Sequence, residues 1–148
     1  MKVAEAMTRD VRVSSPDQTI REAARAMAEL DTGVMPVGEN DRLVGMITDR
    51  DIAIRGVAEG KGPDAPVREV MTPDVTYCFD DEDIRDVART MAENQVRRLP
   101  VLNRDKRLVG IISLGDVAVM ESPDAAAAAI GGVSEPGGEH SQTGGPRT

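Results

Sequence analysis

The sequence predicts an α+β fold: two βαββα repeats packed as a pseudo-twofold pair, with a disordered C-terminal tail. Three observations carry this. The 148-residue chain nearly repeats itself at an offset of 64 positions, from Val3 to Val67. Each copy runs through the same order of helix-like and strand-like patterns. After Ser122 the composition changes to alanine and then to glycine, proline and serine. The organisation expected is therefore one repeat over residues 1–60, a second over 66–122, and a low-complexity tail over 123–148.

The repeat is explicit. Val3-Ala-Glu-Ala-Met7-Thr8 returns as Val67-Arg-Glu-Val-Met71-Thr72, and Met35-Pro36-Val37 as Leu99-Pro100-Val101. Arg42-Leu43-Val44-Gly45 returns as Arg107-Leu108-Val109-Gly110 with the offset grown to 65, one residue being inserted in the preceding turn. In each copy a short helical lead-in ends at Met-Thr, and a brief strand follows, over 11–14 and 75–78. Thr19 with Glu22 then forms a capping-box pattern at a helix start, and Asp83 with Asp86 fills those places in the second copy. The first helix places Ile20, Ala23, Ala24, Met27 and Ala28 on one face; the second places Ile84, Val87, Ala88, Met91 and Ala92 identically. Methionine on such a face is core filler. Two strands follow, over 34–37 and 43–48 in one copy and 98–102 and 108–113 in the other. A last helix begins at Thr48 or Ser113. Neither copy is large enough to bury a good core alone, so the two are expected to pack sheet to sheet. The tail beyond 123 lacks the apolar area to offset its chain entropy.

Composition narrows the function. The net charge of −8 and the absence of Trp argue against a nucleic-acid binder, which needs cations for phosphates and rings for bases. No apolar run approaches the roughly 18–20 residues that span a bilayer, and the first residues lack the apolar stretch of a secretory signal. The cytoplasm is the expected location, with no membrane partner. Cys78 is the sole cysteine and His140 the sole histidine, far apart in sequence, so no disulfide and no transition-metal site is expected. Cys78, inside the strand-like run Val75-Thr76-Tyr77-Cys78-Phe79, reads as a small core hydrophobe. No phosphate-binding Gly-x-x-x-x-Gly-Lys loop and no Gly-x-Ser-x-Gly elbow is present. An enzyme is not expected, and no catalytic residue is assigned.

The repeated set resembles the CBS domain family. The residues that carry the likeness are the lead-in Val-x-x-x-Met-Thr, the apolar-Pro-Val strand, and the run Leu43-Val44-Gly45-Met46-Ile47-Thr48-Asp49-Arg50-Asp51-Ile52 with its partner Leu108-Val109-Gly110-Ile111-Ile112-Ser113-Leu114-Gly115-Asp116-Val117. The likeness spans about residues 1–122 and is specific because the whole set occurs twice. It implies a tandem pair, often called a Bateman module, with two clefts in which many members bind AMP, ADP, ATP, NAD or S-adenosylmethionine. It also implies a homodimer, because such pairs commonly assemble into flat discs of four repeats.

Two residue sets follow from the resemblance. Site A would join Thr48, Arg50 and Asp51 to Thr72, Tyr77, Val96, Arg97 and Arg98. Site B would join Ser113 and Asp116 to Thr8, Gly33 and Val34. Thr48-x-x-Asp51 and Ser113-x-x-Asp116 are also capping pairs, and this holds with or without a ligand. A carboxylate beside a hydroxyl can in addition accept both hydroxyls of a ribose. Arg97 and Arg98 alternate faces of a strand, and a guanidinium fork suits phosphate oxygens. Pairing with surface carboxylates is the alternative role for those two arginines. The second set is poor in cations. The expected function is that of a regulatory sensor of an adenosine-type nucleotide, requiring no cofactor and read out by a protein partner that the sequence does not name. The alternative is an orphan CBS dimer that binds no nucleotide and acts through its surfaces.

Overall fold

The computed structural model describes residues 1–120; the expected disorder of 123–148, and His140 with it, lies outside the described residues. The elements in order are α1 (Val3–Ala6), α2 (Ile20–Leu30), β1 (Val34–Glu39), β2 (Arg42–Thr48), α3 (Asp49–Asp51), β3 (Cys78–Phe79), α4 (Ile84–Asn94), β4 (Arg98–Leu102), β5 (Leu108–Ser113) and α5 (Leu114–Met120). Contacts divide the chain into two compact units. One is Val11–Val75; the other combines Met1–Asp10 with the described residues from Thr76 on. The lead-in of each sequence repeat thus folds onto the strands and helices of the other.

In the Val11–Val75 unit, α2 starts at a reciprocal capping box. Thr19 Oγ1 accepts the Glu22 N–H at 3.1 Å, and Glu22 Oε1 accepts the Thr19 N–H at 3.4 Å. It ends at Asp31 in the left-handed conformation, φ 52°. The buried face is Ile20, Ala23, Ala26 and Met27. Ala24 and Ala28, expected on that face, are exposed. Alanines carry too little apolar area to orient a helix, so the larger Ile20 and Met27 set the stripe and rotate it toward Ala26.

Strands β1 and β2 pair antiparallel and run longer than the sequence suggested. The turn between them is only Asn40 and Asp41, both at positive φ (55° and 63°). A two-residue turn of that hand matches the twist of the flanking strands. Residues 11–14, expected as a strand, pair only at Ser14, which bridges Val37 in parallel through 2.9 Å and 2.8 Å backbone bonds. Val13 is 39 % exposed, so its neighbourhood does not hold the segment in a ladder. The last helix is not uniform. After α3 it widens to a π-helix over Ile52–Gly56, tightens to a 3-10 turn over Val57–Glu59, and stops at Gly60, φ 81°. Val67 and Val70, from the second lead-in, are fully buried in one core with Ile20, Met35, Val37 and Ile47.

In the other unit, β3 pairs parallel with β4, and β4 antiparallel with β5. The strand expected over 75–78 is confined to Cys78–Phe79, the part that reaches β4. Asp83 Oδ1 caps α4 by accepting the Arg85 N–H at 2.8 Å. Asp83 accepts the N–H of Arg85 rather than that of Asp86, so the reciprocal box of the first copy does not form, and Asp86 lies 3.6 Å from Arg89. Val3 and Met7 of the first lead-in share a core with Ile84, Val87, Met91, Leu99 and Ile112. The buried face of α4 contains Ile84, Val87, Ala88 and Met91, with Ala92 half-buried.

Cys78 sits in this core at 2 % exposure. Burial, with Glu82 and Asp80 adding to it, pushes its thiol up to about 12. The reactive thiolate is therefore scarce at neutral pH. Two outcomes are expected. A disulfide reagent at pH 8 should modify Cys78 in the urea-unfolded chain and leave the native chain unmodified over the same interval. Stability should also fall as pH rises from about 9 towards 12, because the unfolded thiol ionises there and the folded one does not. Equal modification rates in the native and unfolded chains would contradict the buried placement.

Candidate ligand-binding motifs

Each unit holds one hydroxyl-carboxylate motif at the junction of a strand and a helix. In the Val11–Val75 unit the pairing is reciprocal. Thr48 Oγ1 accepts the Asp51 N–H at 3.0 Å, and Asp51 Oδ2 accepts the Thr48 N–H at 3.0 Å. One carboxylate oxygen is thus committed to capping. The other, Oδ1, lies 3.9 Å from Arg55 Nε, and the Asp51 side chain is 14 % exposed. In the second unit Ser113 Oγ accepts the Asp116 N–H at 3.2 Å, and Asp116 Oδ2 accepts the Ser113 N–H at 2.9 Å. Asp116 Oδ1 has no partner among the described residues. The cap of each motif thus uses one of its two carboxylate oxygens.

Backbone pairing sets what stands beside each motif. Val34 faces Thr48 across the β1–β2 ladder, and the Gly33 carbonyl accepts the Asp49 N–H at 2.9 Å. Thr72 exchanges two backbone bonds with Met46, at 2.9 Å and 2.8 Å. Around the second motif, Arg98 faces Ser113, the Arg97 carbonyl accepts the Leu114 N–H at 2.9 Å, and Thr8 exchanges bonds of 2.9 Å and 3.0 Å with Ile111. The structure thus brings Gly33 and Val34, grouped with Ser113 and Asp116 from the resemblance, next to Thr48 within one unit. Val96, Arg97 and Arg98, grouped with Asp51, share a unit with Ser113, and the last two border it. The physical reason is hairpin pairing: β1 must lie beside β2, and β4 beside β5, so the residues before each strand proline end up at their own repeat's motif.

Two glycines make the lead-in contacts possible. A Cβ on Gly45 would fall 2.7 Å from the Thr72 carbonyl oxygen, and one on Gly110 would fall 2.6 Å from that of Thr8. The Leu-Val-Gly signature is therefore a backbone crossing point. Gly33 is a milder case: a Cβ there would meet the Asp49 carboxylate at 2.8 Å, the end of a movable side chain.

The remaining candidates are less embedded. Arg50, Arg97 and Arg98 are exposed, and among the described residues none has an ion-pair partner, so the surface-carboxylate role considered for Arg97 and Arg98 is not formed there. The Tyr77 ring, 37 % exposed, packs edge-on against Phe79 with centroids 5.6 Å apart. The Arg104 guanidinium covers the same Phe79 at 4.1 Å while forking onto Asp81 at 2.7 Å and 2.8 Å. That bond holds the Asp81 carboxyl below its ordinary value. Sequence reasoning does not single out Arg55; the signal available to it is the four-residue spacing from Asp51. A cavity of about 400 Å³ lies beside the first motif, lined by Met27, Asp31, Thr32, Gly33, Asp49 and Ile52 among others. Among the described residues no group of His, Cys, Asp and Glu is placed to hold a metal, and no helix is long and apolar enough to cross a membrane.

A family model for the CBS domain matches residues 3–56 and again 67–120. The chain belongs to the CBS domain family. A CBS domain-containing protein of Bacillus subtilis, YhcV, is 41 % identical over 133 residues, covering 89 % of this chain and 94 % of its own. Among solved structures, Hypoxic Response Protein I with two coordinated zinc ions superposes with a TM-score of 0.76 at 36 % identity, over 82 % of this chain and all of the other. CBSX2 in complex with AMP superposes with a TM-score of 0.71 at 30 % identity, over 79 % of this chain and 93 % of the other. The tandem CBS fold accounts for the duplicated motifs, with Asp51 and Asp116 as matching residues of the two domains.

Proposed function

We propose that this CBS pair is a regulatory module that binds an adenosine-type nucleotide and signals by a change of conformation. The observation that carries the reading is the half-committed carboxylate. Asp51 caps its helix with Oδ2, while Oδ1, on a largely buried side chain, accepts no hydrogen bond among the described residues and has only the Arg55 Nε at 3.9 Å. Ribose supplies two adjacent hydroxyl donors, and a charged acceptor holds them more strongly than a neutral one. Family membership and the AMP complex of CBSX2 support an adenosyl ligand. Thr48 and Thr72 supply neighbouring polar groups, and Gly33 leaves room beside the motif. The two residue sets proposed from the resemblance remain the candidates.

The protein acts as a cytoplasmic homodimer, without catalysis, on a partner protein. Ligand shifts the module only by its differential affinity for two conformations. Isothermal titration of the full chain with AMP, ADP, ATP, NAD and S-adenosylmethionine tests the reading. At least one of the five is expected to bind. Silence of all five at about 1 mM, where binding would be weaker than ~4 kcal/mol, would overturn it in favour of a CBS dimer that works through its surfaces alone.

A further inference from the structure

Arg55 occupies a position that the two repeats do not share. Asp51-Ile52-Ala53-Ile54-Arg55 in the first copy corresponds to Asp116-Val117-Ala118-Val119-Met120 in the second. The cation therefore accompanies one motif only. It sits within the π-helical stretch Ile52–Gly56, the kind of helix widening that recurs at functional positions. Its Nη1 donates to the Met71 carbonyl at 3.2 Å, and its Nε faces Asp51 Oδ1 at 3.9 Å, beyond hydrogen-bond range. These are its hydrogen bond and its ion pair among the described residues, so most of the fork's N–H donors stay unused, on a side chain that is 51 % exposed. Asp51 Oδ1, the carboxylate oxygen nearest to it, accepts no hydrogen bond among the described residues. The arrangement presents an acceptor for hydroxyls and, next to it, a partly free guanidinium anchored by one bond to the backbone before Thr72.

We infer that Arg55 selects an anionic ligand at the Asp51 motif: a phosphate-bearing adenosyl compound in preference to its uncharged nucleoside. This rests on the nucleotide reading above. The unused guanidinium donors match phosphate oxygens in charge and geometry, and the bond to the Met71 carbonyl limits the side-chain entropy lost when they engage. The Asp116 motif has no such cation four residues on, and a ligand there gains nothing at this position from a phosphate.

The test titrates wild type, Arg55→Met, Arg55→Lys and Asp51→Ala with AMP and, separately, with adenosine. Arg55→Met installs the residue of the second repeat at an exposed position, and its thermal melt reports whether the fold survives. The expected result is AMP affinity weakened by about tenfold or more in Arg55→Met, partly restored in Arg55→Lys, with adenosine affinity held within about twofold. Asp51→Ala should weaken both ligands. Equal losses for AMP and adenosine in Arg55→Met would make Arg55 a structural residue and overturn the inference. So would AMP binding that falls in Asp51→Ala and is unchanged in Arg55→Met, an outcome that leaves the nucleotide reading standing. Wild type silent to both ligands would remove that reading, and this inference with it.

Discussion

Gly110→Ala is expected to destabilise the protein by on the order of 1–3 kcal/mol, the usual cost of forcing extra volume into a packed position. The new methyl would sit 2.6 Å from the Thr8 carbonyl oxygen and 2.8 Å from Met7 Sδ. Met7 can turn aside, but the carbonyl cannot, because Thr8 is held by two backbone bonds to Ile111, the residue next to Gly110. Relief therefore requires the lead-in to lift away, losing those bonds and loosening Val3 and Met7 from the core they complete. Gly45→Ala should behave alike, with the Thr72 carbonyl at 2.7 Å. Gly62→Ala is the control, since nothing lies within 4 Å of its Cβ position. That change should be neutral or slightly stabilising through the unfolded chain. Urea unfolding midpoints decide the matter. If Gly110→Ala proved as stable as Gly62→Ala, the close crossing of lead-in and strand would be wrong.

Asp51→Ala should have two separable effects. It removes the acceptor for the Thr48 N–H, half of a capping box, at a stability cost of about 1 kcal/mol. Asp116→Ala removes the matching bond to the Ser113 N–H and should cost about the same. The second effect is on ligand. If Asp51 holds a ribose, its loss should weaken AMP by on the order of 1–3 kcal/mol, the range for hydrogen bonds to a charged group and for the groups left unpaired. Comparing AMP titrations with urea melts for both variants separates cap from ligand, because the cap term is common to the two. AMP affinity unchanged in Asp51→Ala would exclude Asp51 from the ligand's contacts.

Much of the fold is legible in the chain because it depends on neighbours in sequence. Thr19 and Glu22 are three apart, and a capping box needs nothing else. Ile84, Val87, Ala88 and Met91 lie at helical spacing and do form a buried face. The repeat itself identifies matching elements, and the hairpin strands appear where apolar residues flank a polar turn. Failures occur where a local pattern is weak. Ala24 and Ala28 fit the helical stripe, yet their small side chains leave the rotation of α2 to Ile20 and Met27. Residues 11–14 look strand-like, but a strand requires a partner along its length, and only Ser14 finds one. Asp86 stands where the first copy has Glu22, but Asp83 takes the Arg85 N–H instead of the Asp86 N–H, and the box does not close.

The candidate site divides in the same way. Thr48 with Asp51 and Ser113 with Asp116 are readable as pairs because a cap is local, and the tertiary structure adds which carboxylate oxygen makes the cap. Their neighbours are set by distant chain. The hairpins place Gly33 and Val34 beside Thr48, and Arg97 and Arg98 beside Ser113. The lead-ins bring Thr72 to Met46 and Thr8 to Ile111. Arg55 gains its interest only when the Met71 carbonyl, sixteen positions away, comes within 3.2 Å of it. The amino-acid order alone determined the duplication, the caps, most helix faces and the family. Tertiary structure alone decided which lead-in completes which core, why Gly45 and Gly110 must lack a side chain, and what Arg55 reaches. Periodicity and capping are short-range properties of the backbone, whereas close approach between segments far apart in sequence follows from packing that no local pattern encodes.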